Sequence, residues 1–287
     1  MGPTDTWLAV VAGAAVIALV WALVWSVPAV LLRRNDLADV AWGPIYPTMA
    51  GLTGGVVVAR DVEDVPRAGL VMLLSVVWAG RLAWHIGRRW ISHEEEDRRY
   101  ARWRERWGTR WILRSVLQVF VLQAAIALIV AQPLLIAASV HEGDSQLGVL
   151  DWIAAVVVLA GIVLEATADR QLARFVARRR AGEEDHRYLT SGVWSWSRHP
   201  NYAGDAITWI GFGLFGVAAA LDTSAEWLVV PAIIGPVVMW AFLRYGSGVP
   251  LSERGRAGHP EWDAYVQRTS AFWPRPPRRD AAPGDTA

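Results

Sequence analysis

Two pairs of polar residues stand where chemistry could occur in an otherwise apolar chain. In "GIVLEATADRQLARF", Glu165 and Asp169 are four residues apart, so they share one face of a helix. In "SRHPNYAGDAITWIG", Asn201 and Asp205 repeat that spacing at the start of another apolar segment. An acid inside such a segment is costly without a partner. Both pairs therefore favour hydrogen bonding to a polar ligand.

The residues just before Asn201 also suit an anion. Pro200 is favoured in the first turn of a helix, whose free N–H groups form an anion-binding site. Arg198 adds a permanent charge beside it, and His199 and Tyr202 flank it. This helix end could therefore bind both a phosphate and the hydroxyl or amide groups of one ligand, a combination that fits a nucleotide cofactor.

The absence of cysteine and the positions of histidine and arginine exclude some classes of function. The chain has no cysteine, which excludes disulfides and thiol-ligated metal sites, and its histidines lack metal-ligand spacing. No metal is therefore expected. Arginines and aromatic residues are interleaved near Trp262, as they are in nucleic-acid-binding proteins, but membrane topology explains them, so no nucleic acid is expected. Arg81 and His85 are four residues apart at lipid depth, where arginine is rare without a function.

The elements that must position these residues are membrane helices. The chain has 287 residues, 54% are hydrophobic, and they fall in long blocks. About 20 apolar residues cross a bilayer. The sequence predicts an all-α polytopic membrane protein with about seven spans, of which the second is the weakest because Gly43, Pro44 and Pro47 break its start. The predicted spans are Trp7–Trp25, Val40–Ala59, Ala68–Gly87, Leu113–Val140, Val149–Thr167, Tyr202–Leu221 and Trp227–Phe242.

The arginines predict the orientation of these spans. Of the 28 basic residues, all arginine, 25 lie in the odd-numbered connections and the C-terminal tail. The protein is predicted to lie in the inner membrane. The positive-inside rule then places its N-terminus outside and its C-terminus on the cytoplasmic side. Residues 1–274 are predicted to form one transmembrane domain. The Pro-rich residues 275–287 are predicted to be a disordered cytoplasmic tail.

Seven motifs occur in a fixed order along the chain. They are "LLRRNDLADVAWGPIY", "RLAWHIGRRW", "EEDRRYARWR", "VLQVFVLQA", "EATADRQLARF", "GVWSWSRHPNYAGDAITWIG" and "SGVPLSE" with "WDAYVQRTSAFWP". Together they resemble a bacterial membrane family of unknown function (DUF1295) allied to the steroid 5-alpha-reductases. The resemblance runs from about Arg33 to Pro274, and its link to the reductases depends mainly on the C-terminal half.

The resemblance implies a multi-span helical reductase that uses NADPH on an activated carbon–carbon double bond in a lipid. Glu165 stands where the reductases tend to carry an amide residue, and Asp205 replaces a longer Glu. The cofactor-contacting motifs look similar to Asp169, Asn201, Asp205, Tyr265 and Arg268.

The residue that polarises the substrate carbonyl is not given by the resemblance. By chemistry alone, the candidates are Asp39, Tyr46, Arg81 and His85. As hydride reaches the alkene carbon of an enone, charge develops on the carbonyl oxygen, and a donor aimed at that oxygen acts best in a dry site. Tyr46, His85 or a protonated Asp39 would serve, and the substrate would be a hydrophobic small molecule that enters from the bilayer.

Two other functions compete with this one. The stretch "LTSGVWSWSRHPNYAG" is also similar to the signature of the isoprenylcysteine and phospholipid methyltransferases of membranes, which bind S-adenosylmethionine. A non-catalytic scaffold or transporter would use the same polar residues as a one-sided vestibule. A transporter needs polar groups near the midplane and access from both sides. Only Arg81, His85 and Asp39 approach the middle of the predicted spans.

Overall fold

The computed structural model describes residues 2–58, 66–142 and 146–278. These residues form twelve α-helices joined by short 3-10 and π turns, and they contain no β-strand, which confirms the all-α prediction. The α-helices are α1 (Pro3–Leu32), α2 (Leu37–Val58), α3 (Pro66–Ile91), α4 (Arg98–Trp107), α5 (Trp111–Arg114), α6 (Leu122–Val130), α7 (Gln132–Ser139), α8 (Val149–Ala181), α9 (Pro200–Leu221), α10 (Val229–Ala241), α11 (Val249–Glu253) and α12 (Pro260–Arg268).

Six helical segments of the described chain are long and apolar enough to cross a membrane, so the protein is an integral membrane protein. The second predicted span also forms a helix of 22 residues, α2, but it is not one of the six. Pro44, Pro47 and several glycines lower its apolar content, as its sequence suggested. The six segments are Pro3–Leu32, Pro66–Ile91, Arg98–Val130, Val149–Ala181, Pro200–Leu221 and Glu226–Glu253.

The chain divides into two compact units. The first comprises Met1–Ala155 with Gly211–Pro236, and the second comprises Val156–Ile210 with Val237–Ala287. In the first unit, α1 buries small residues such as Ala14, Ala18 and Ala22 and exposes leucines and valines. This distribution is typical of a membrane helix, where small residues allow close packing and large apolar ones face lipid.

The fourth predicted span differs from the structure at both ends. The helical segment begins at Arg98, continues through a π turn at Ser115–Val121, and ends at Val130. After Ala131, Pro133 starts the separate helix α7 (Gln132–Ser139), because proline fits the first turn of a helix and cannot continue the preceding one. All eight residues of α7 are buried, so it is a core helix of the first unit.

A buried ion cluster joins three helix ends of the first unit. Arg67, at the start of α3, is 2% exposed and donates to both oxygens of Asp151 at 2.7 and 2.9 Å. It also contacts Asp222, which is half exposed. Asp151 is fully buried and accepts the N–H of Gly148 at 2.9 Å. The carboxylates therefore neutralise one of the two arginines that the sequence places in the even-numbered connections. The other, Arg60, and its acidic neighbours lie outside the described residues.

In the second unit, the C-terminal segment packs on the chain that precedes α9. The N–H of Arg198 donates to Ser270 O at 2.8 Å, and Ser197 Oγ donates to Phe272 O at 2.6 Å. The described chain extends four residues into the predicted tail. There the N–H of Arg275 donates to Trp196 O at 2.9 Å. The rest of that tail, residues 279–287, lies outside the described residues.

Candidate functional site

The predicted polar pairs lie where α8 and α9 touch within the second unit. A Cβ atom added to Gly204 of α9 would lie 2.6 Å from the backbone N of Glu165 and 2.8 Å from Gly161 O of α8. The two backbones are thus in direct contact. Small residues permit such a close approach between membrane helices.

Four side chains with hydrogen-bond acceptors lie on α8 and α9 at this crossing. We call them the acceptor cluster: Glu165, Asp169, Asn201 and Asp205. Asn201 Nδ2 donates a long hydrogen bond to Asp169 Oδ1 at 3.4 Å. The three acids are buried, and the Asn201 Oδ1 atom is buried with no hydrogen-bond partner among the described residues. Buried polar atoms are normally hydrogen-bonded, so this oxygen fits a ligand donor.

Arg198 has partners that the sequence did not predict. Its Nε and Nη2 atoms donate to the two carboxylate oxygens of Glu253 at 2.9 and 3.3 Å, and its Nη1 atom donates to Thr269 O at 2.7 Å. It is buried and lies over the ring of Trp262 at 5.9 Å. The guanidinium therefore holds α11 and the C-terminal segment together.

His199 belongs to the same group. Its Nε2 atom lies 2.9 Å from Glu253 Oε1, and its ring stacks on Tyr202 with 5.3 Å between the ring centres. Burial lowers the pKa of His199 below its ordinary value, although the hydrogen bond to Glu253 opposes this effect. Glu253 thus fixes both Arg198 and His199, and we call these three residues the Glu253 group.

Tyr265 and Arg268 lie on α12, beside the Glu253 group. The buried hydroxyl of Tyr265 donates to the carbonyl oxygen of Trp194, and a second carbonyl, that of Ser197, lies 3.3 Å away. Burial raises the pKa of Tyr265. These contacts attach α12 to the segment that leads into α9. The Arg268 carbonyl accepts the N–H of Arg278 at 3.0 Å.

The four candidates for substrate polarisation belong to the first unit, and Arg81 lies on α3 with His85. Tyr46 is fully buried on α2 between the rings of Trp42 and Trp78, at 5.3 and 5.6 Å. His85 is half-buried on α3. Asp39 Oδ1 accepts the hydroxyl of Tyr100 at 2.6 Å, so this acid anchors α4 to the start of α2.

Arg99 completes the contacts of Asp39. Its Nη2 atom lies 3.4 Å from Asp39 Oδ2. Both oxygens of Asp39 are therefore engaged by neighbouring side chains.

Comparison with known proteins assigns the family. The model of a family described as proteins of unknown function, DUF1295, matches residues 15–269. The chain is a DUF1295 protein. An uncharacterized protein of Schizosaccharomyces pombe is similar to it, with 25% identity over 276 residues that cover 88% of this chain and 76% of the yeast protein. No solved structure matches the chain.

These comparisons confirm the DUF1295 part of the resemblance. The yeast relative extends the similarity to a eukaryote, so it is not confined to bacteria.

One residue of this DUF1295 chain was missed at the sequence level. Glu253 stands in the motif "SGVPLSE", and the sequence assigned it no role. It is the one acid between Arg244 and Arg256, which is a signal for ion pairing. Its partners Arg198 and His199 are 55 and 54 residues away, so only the fold identifies them.

The chemistry of the acceptor cluster limits what it can bind. Carboxylates accept hydrogen bonds and do not donate them when ionised. The cluster therefore suits a ligand part that is rich in hydroxyl and amide N–H groups, or a cation. It does not suit a phosphate. Among the described residues, no group of three or more His, Asp or Glu side chains is arranged to hold a metal ion.

Proposed function

We propose that this protein is a reductase of the inner membrane that uses NADPH to saturate an activated carbon–carbon double bond in a lipid substrate, such as a steroid-like or isoprenoid enone. The main support for this proposal is the acceptor cluster at the contact between α8 and α9. Its motifs are those in which the chain resembles the steroid 5-alpha-reductases. The fit of the cluster to a nicotinamide cofactor depends on how its hydrogen-bond acceptors match the donors of the cofactor.

That fit is favourable for the sugar and amide parts of the cofactor. Asn201 Oδ1 is a buried acceptor that has no protein hydrogen-bond partner among the described residues. Together with the carboxylate of Asp169, it would accept from ribose hydroxyls and from a carboxamide N–H. When bound, NADPH supplies the hydride, and the protein orients the reactive carbon of the cofactor.

The Glu253 group would act indirectly. Arg198 is hydrogen-bonded to Glu253 and to the backbone of the C-terminal segment, so it fixes the chain that leads into α9. That chain carries Asn201 in the first turn of α9. Arg198 and His199 are therefore proposed to position the acceptor cluster rather than to contact the cofactor's phosphates.

Tyr46 is the preferred donor to the substrate carbonyl oxygen. Its hydroxyl lies in a water-excluded aromatic environment formed by Trp42 and Trp78. A donor in such an environment stabilises developing negative charge more strongly than the same donor in water. Hydride addition to one alkene carbon and protonation of the other would complete the reduction.

The orientation in the membrane is part of the proposal. The arginine-rich connections would be cytoplasmic, and the cofactor site would face the cytoplasm, where NADPH is available. The pairing of Arg67 with two carboxylates supports this orientation, because it neutralises an arginine that lies outside those connections.

A membrane methyltransferase is the second candidate, and one observation favours it. The acceptor cluster contains three buried acids, which would also attract the sulfonium cation of S-adenosylmethionine. The stretch around Arg198 and His199 resembles the signature of those enzymes as well. The two functions therefore differ in which cofactor the same cluster binds.

Cofactor binding by the purified protein in detergent separates these functions. We expect NADPH to raise the melting temperature of the wild-type protein, and S-adenosylmethionine to leave it unchanged. Asn201→Ala should weaken the response to NADPH by about tenfold, since a hydrogen bond to the ligand is lost. The matched control is Asp263→Asn, an acid of α12 outside the cluster, which should respond like the wild type.

Two results would count against the proposal, and a third would change the variant used to test it. A shift with S-adenosylmethionine alone would favour the methyltransferase. No shift with either cofactor would favour a non-catalytic membrane protein. If Asn201→Ala instead prevents folding, the residue is structural, and Asp205→Asn then provides the test of binding.

A further inference from the structure

A basic groove of about 540 Å³ lies in the second unit, between the last turns of α8 and the segment before the 3-10 turn at Gly192–Ser195. Its walls include Arg174 and Arg178 of α8 on one side and Ser191 with Gly192 on the other. Pockets of roughly 300–1,000 Å³ hold small molecules in proteins. The groove is therefore large enough for a ligand headgroup.

The two arginines of the groove are suited to one anion. Arg174 and Arg178 are four residues apart, so their side chains share one face of α8. Arg174 has no carboxylate partner among the described residues. Arg178 pairs with Glu184 at 3.0 Å but is half exposed, and a guanidinium has five donors, so it can bind a second partner.

The floor of the groove adds neutral donors. Gln171 Oε1 accepts the N–H of Val193 at 3.1 Å, which directs the amide NH₂ group of Gln171 elsewhere. That group packs against Gly192: a Cβ atom added there would lie 2.7 Å from Gln171 Nε2, and the φ of +62° also favours glycine. Glycine at position 192 thus keeps the amide donors at the groove surface.

These donors define the chemistry of the ligand. Planar guanidinium groups bind phosphate oxygens through paired hydrogen bonds, and amide and hydroxyl donors bind the remaining oxygens. We infer that the groove lined by Gln171, Arg174 and Arg178 binds a phosphate group. This site is separate from the acceptor cluster, which contains no arginine, and the inference holds whether or not the protein is a reductase.

The position of the groove along α8 allows two sources of phosphate. Helices rise about 1.5 Å per residue, so Arg174 and Arg178 lie about 8 and 14 Å beyond Asp169, the first charged residue after the predicted span Val149–Thr167. Headgroups occupy roughly the 5–8 Å beyond each face of the hydrocarbon core. Arg174 therefore lies at the outer edge of the headgroup layer and Arg178 lies beyond it, so an anionic lipid headgroup can reach Arg174 and a soluble phosphate compound can reach both.

A pair of double variants tests the inference. R174Q/R178Q removes two positive charges from the groove. R179Q/R180Q removes two charges from the same exposed turn of α8, but neither residue lines the groove, and Arg179 instead donates to Arg187 O at 3.3 Å. Both variants are exposed substitutions and should fold. Because the charge removed is equal, a general attraction of basic loops to anions affects them equally.

The measurement is the melting temperature as a function of ligand concentration. One arm titrates phosphatidylglycerol against phosphatidylcholine in nanodiscs, and the other titrates inorganic phosphate and 2′,5′-ADP in neutral detergent. In at least one arm, we expect the wild type and R179Q/R180Q to be stabilised. R174Q/R178Q should need about tenfold or more ligand for the same stabilisation, since charge-assisted hydrogen bonds are lost.

Each outcome decides the question. A selective loss with phosphatidylglycerol identifies a lipid phosphate, and a selective loss with the soluble ligands identifies a nucleotide or free phosphate. Equal losses in the two double variants, or no stabilisation of the wild type in either arm, would overturn the inference. The Asn201→Ala response to NADPH is measured separately, so failure of the groove and failure of the reductase proposal are distinguishable.

Discussion

The contact between α8 and α9 predicts a large effect of one methyl group. In Gly204→Ala, the new Cβ atom would lie 2.6 Å from the backbone N of Glu165 and 2.8 Å from both Glu165 Cβ and Gly161 O. Ordinary contacts between non-bonded heavy atoms are about 3.5 Å. Since backbone atoms cannot rotate away, the two helices must separate by about 0.9 Å.

This separation has a structural and a functional cost. Overpacking of this kind destabilises proteins by about 1–3 kcal/mol. The Asn201–Asp169 hydrogen bond is already 3.4 Å long, and a further displacement of that size would exceed hydrogen-bond distance. Gly204→Ala should therefore lower the melting temperature in detergent by several degrees, at about 2–4 °C per kcal/mol, and should also weaken the response to NADPH.

The matched control is Gly80→Ala on α3. An added Cβ atom at Gly80 meets no other atom within 4 Å. This variant should match the wild type or gain about 0.4–1 kcal/mol, because alanine restricts the unfolded chain. Tryptophan fluorescence during heating reports unfolding in all three proteins. If Gly204→Ala and Gly80→Ala melt together with the wild type, the backbones of α8 and α9 are not in contact, and the acceptor cluster loses its structural basis.

Two further predictions concern charged groups elsewhere. Arg67→Gln leaves the buried carboxylate of Asp151 without its cation and should lower the free energy of unfolding by about 3–5 kcal/mol. Asp222→Asn, at a half-exposed position, should lower it by under about 1 kcal/mol. Equal losses in the two variants would contradict the ion cluster. Because burial lowers the pKa of His199 below its ordinary value of 6.5, the unfolded chain binds more protons than the folded one between these two pKa values. Stability should therefore rise with pH through this window and level off above about pH 6.5. In H199Q, the melting temperature should depend less on pH over the same window. An unchanged slope in H199Q would assign the effect to another group.

Local patterns in the sequence predicted the helices and the polar faces of α8 and α9. The spacing of four residues placed Glu165 with Asp169, and Asn201 with Asp205, on shared faces of their helices. The contact between the two faces depends on Gly161 and Gly204, which a hydropathy pattern does not register. The hydrogen bond between Asn201 and Asp169 across the crossing is thus a tertiary feature.

Features that involve distant residues could not be predicted. The start of α9 is a local signal and predicts a role for Arg198 there, but the partner of Arg198, Glu253, lies 55 residues later and no local pattern connects the two. The single apolar run Leu113–Val140 was interpreted as one span, yet Pro133 divides it. Hydropathy sums apolar residues and gives no weight to the missing N–H of proline, so it cannot detect that break.

The ion cluster around Arg67 has a consequence for biosynthesis. Its partners Asp151 and Asp222 follow it by 84 and 155 residues. At translation rates of roughly 5–20 residues per second, the buried partner Asp151 emerges about 4–17 s after the arginine. During that time the guanidinium must stay hydrated, so the N-terminal end of α3 cannot settle in its final place. Insertion of this protein therefore includes a waiting period, which ends only when the segment that carries Asp151 has left the ribosome.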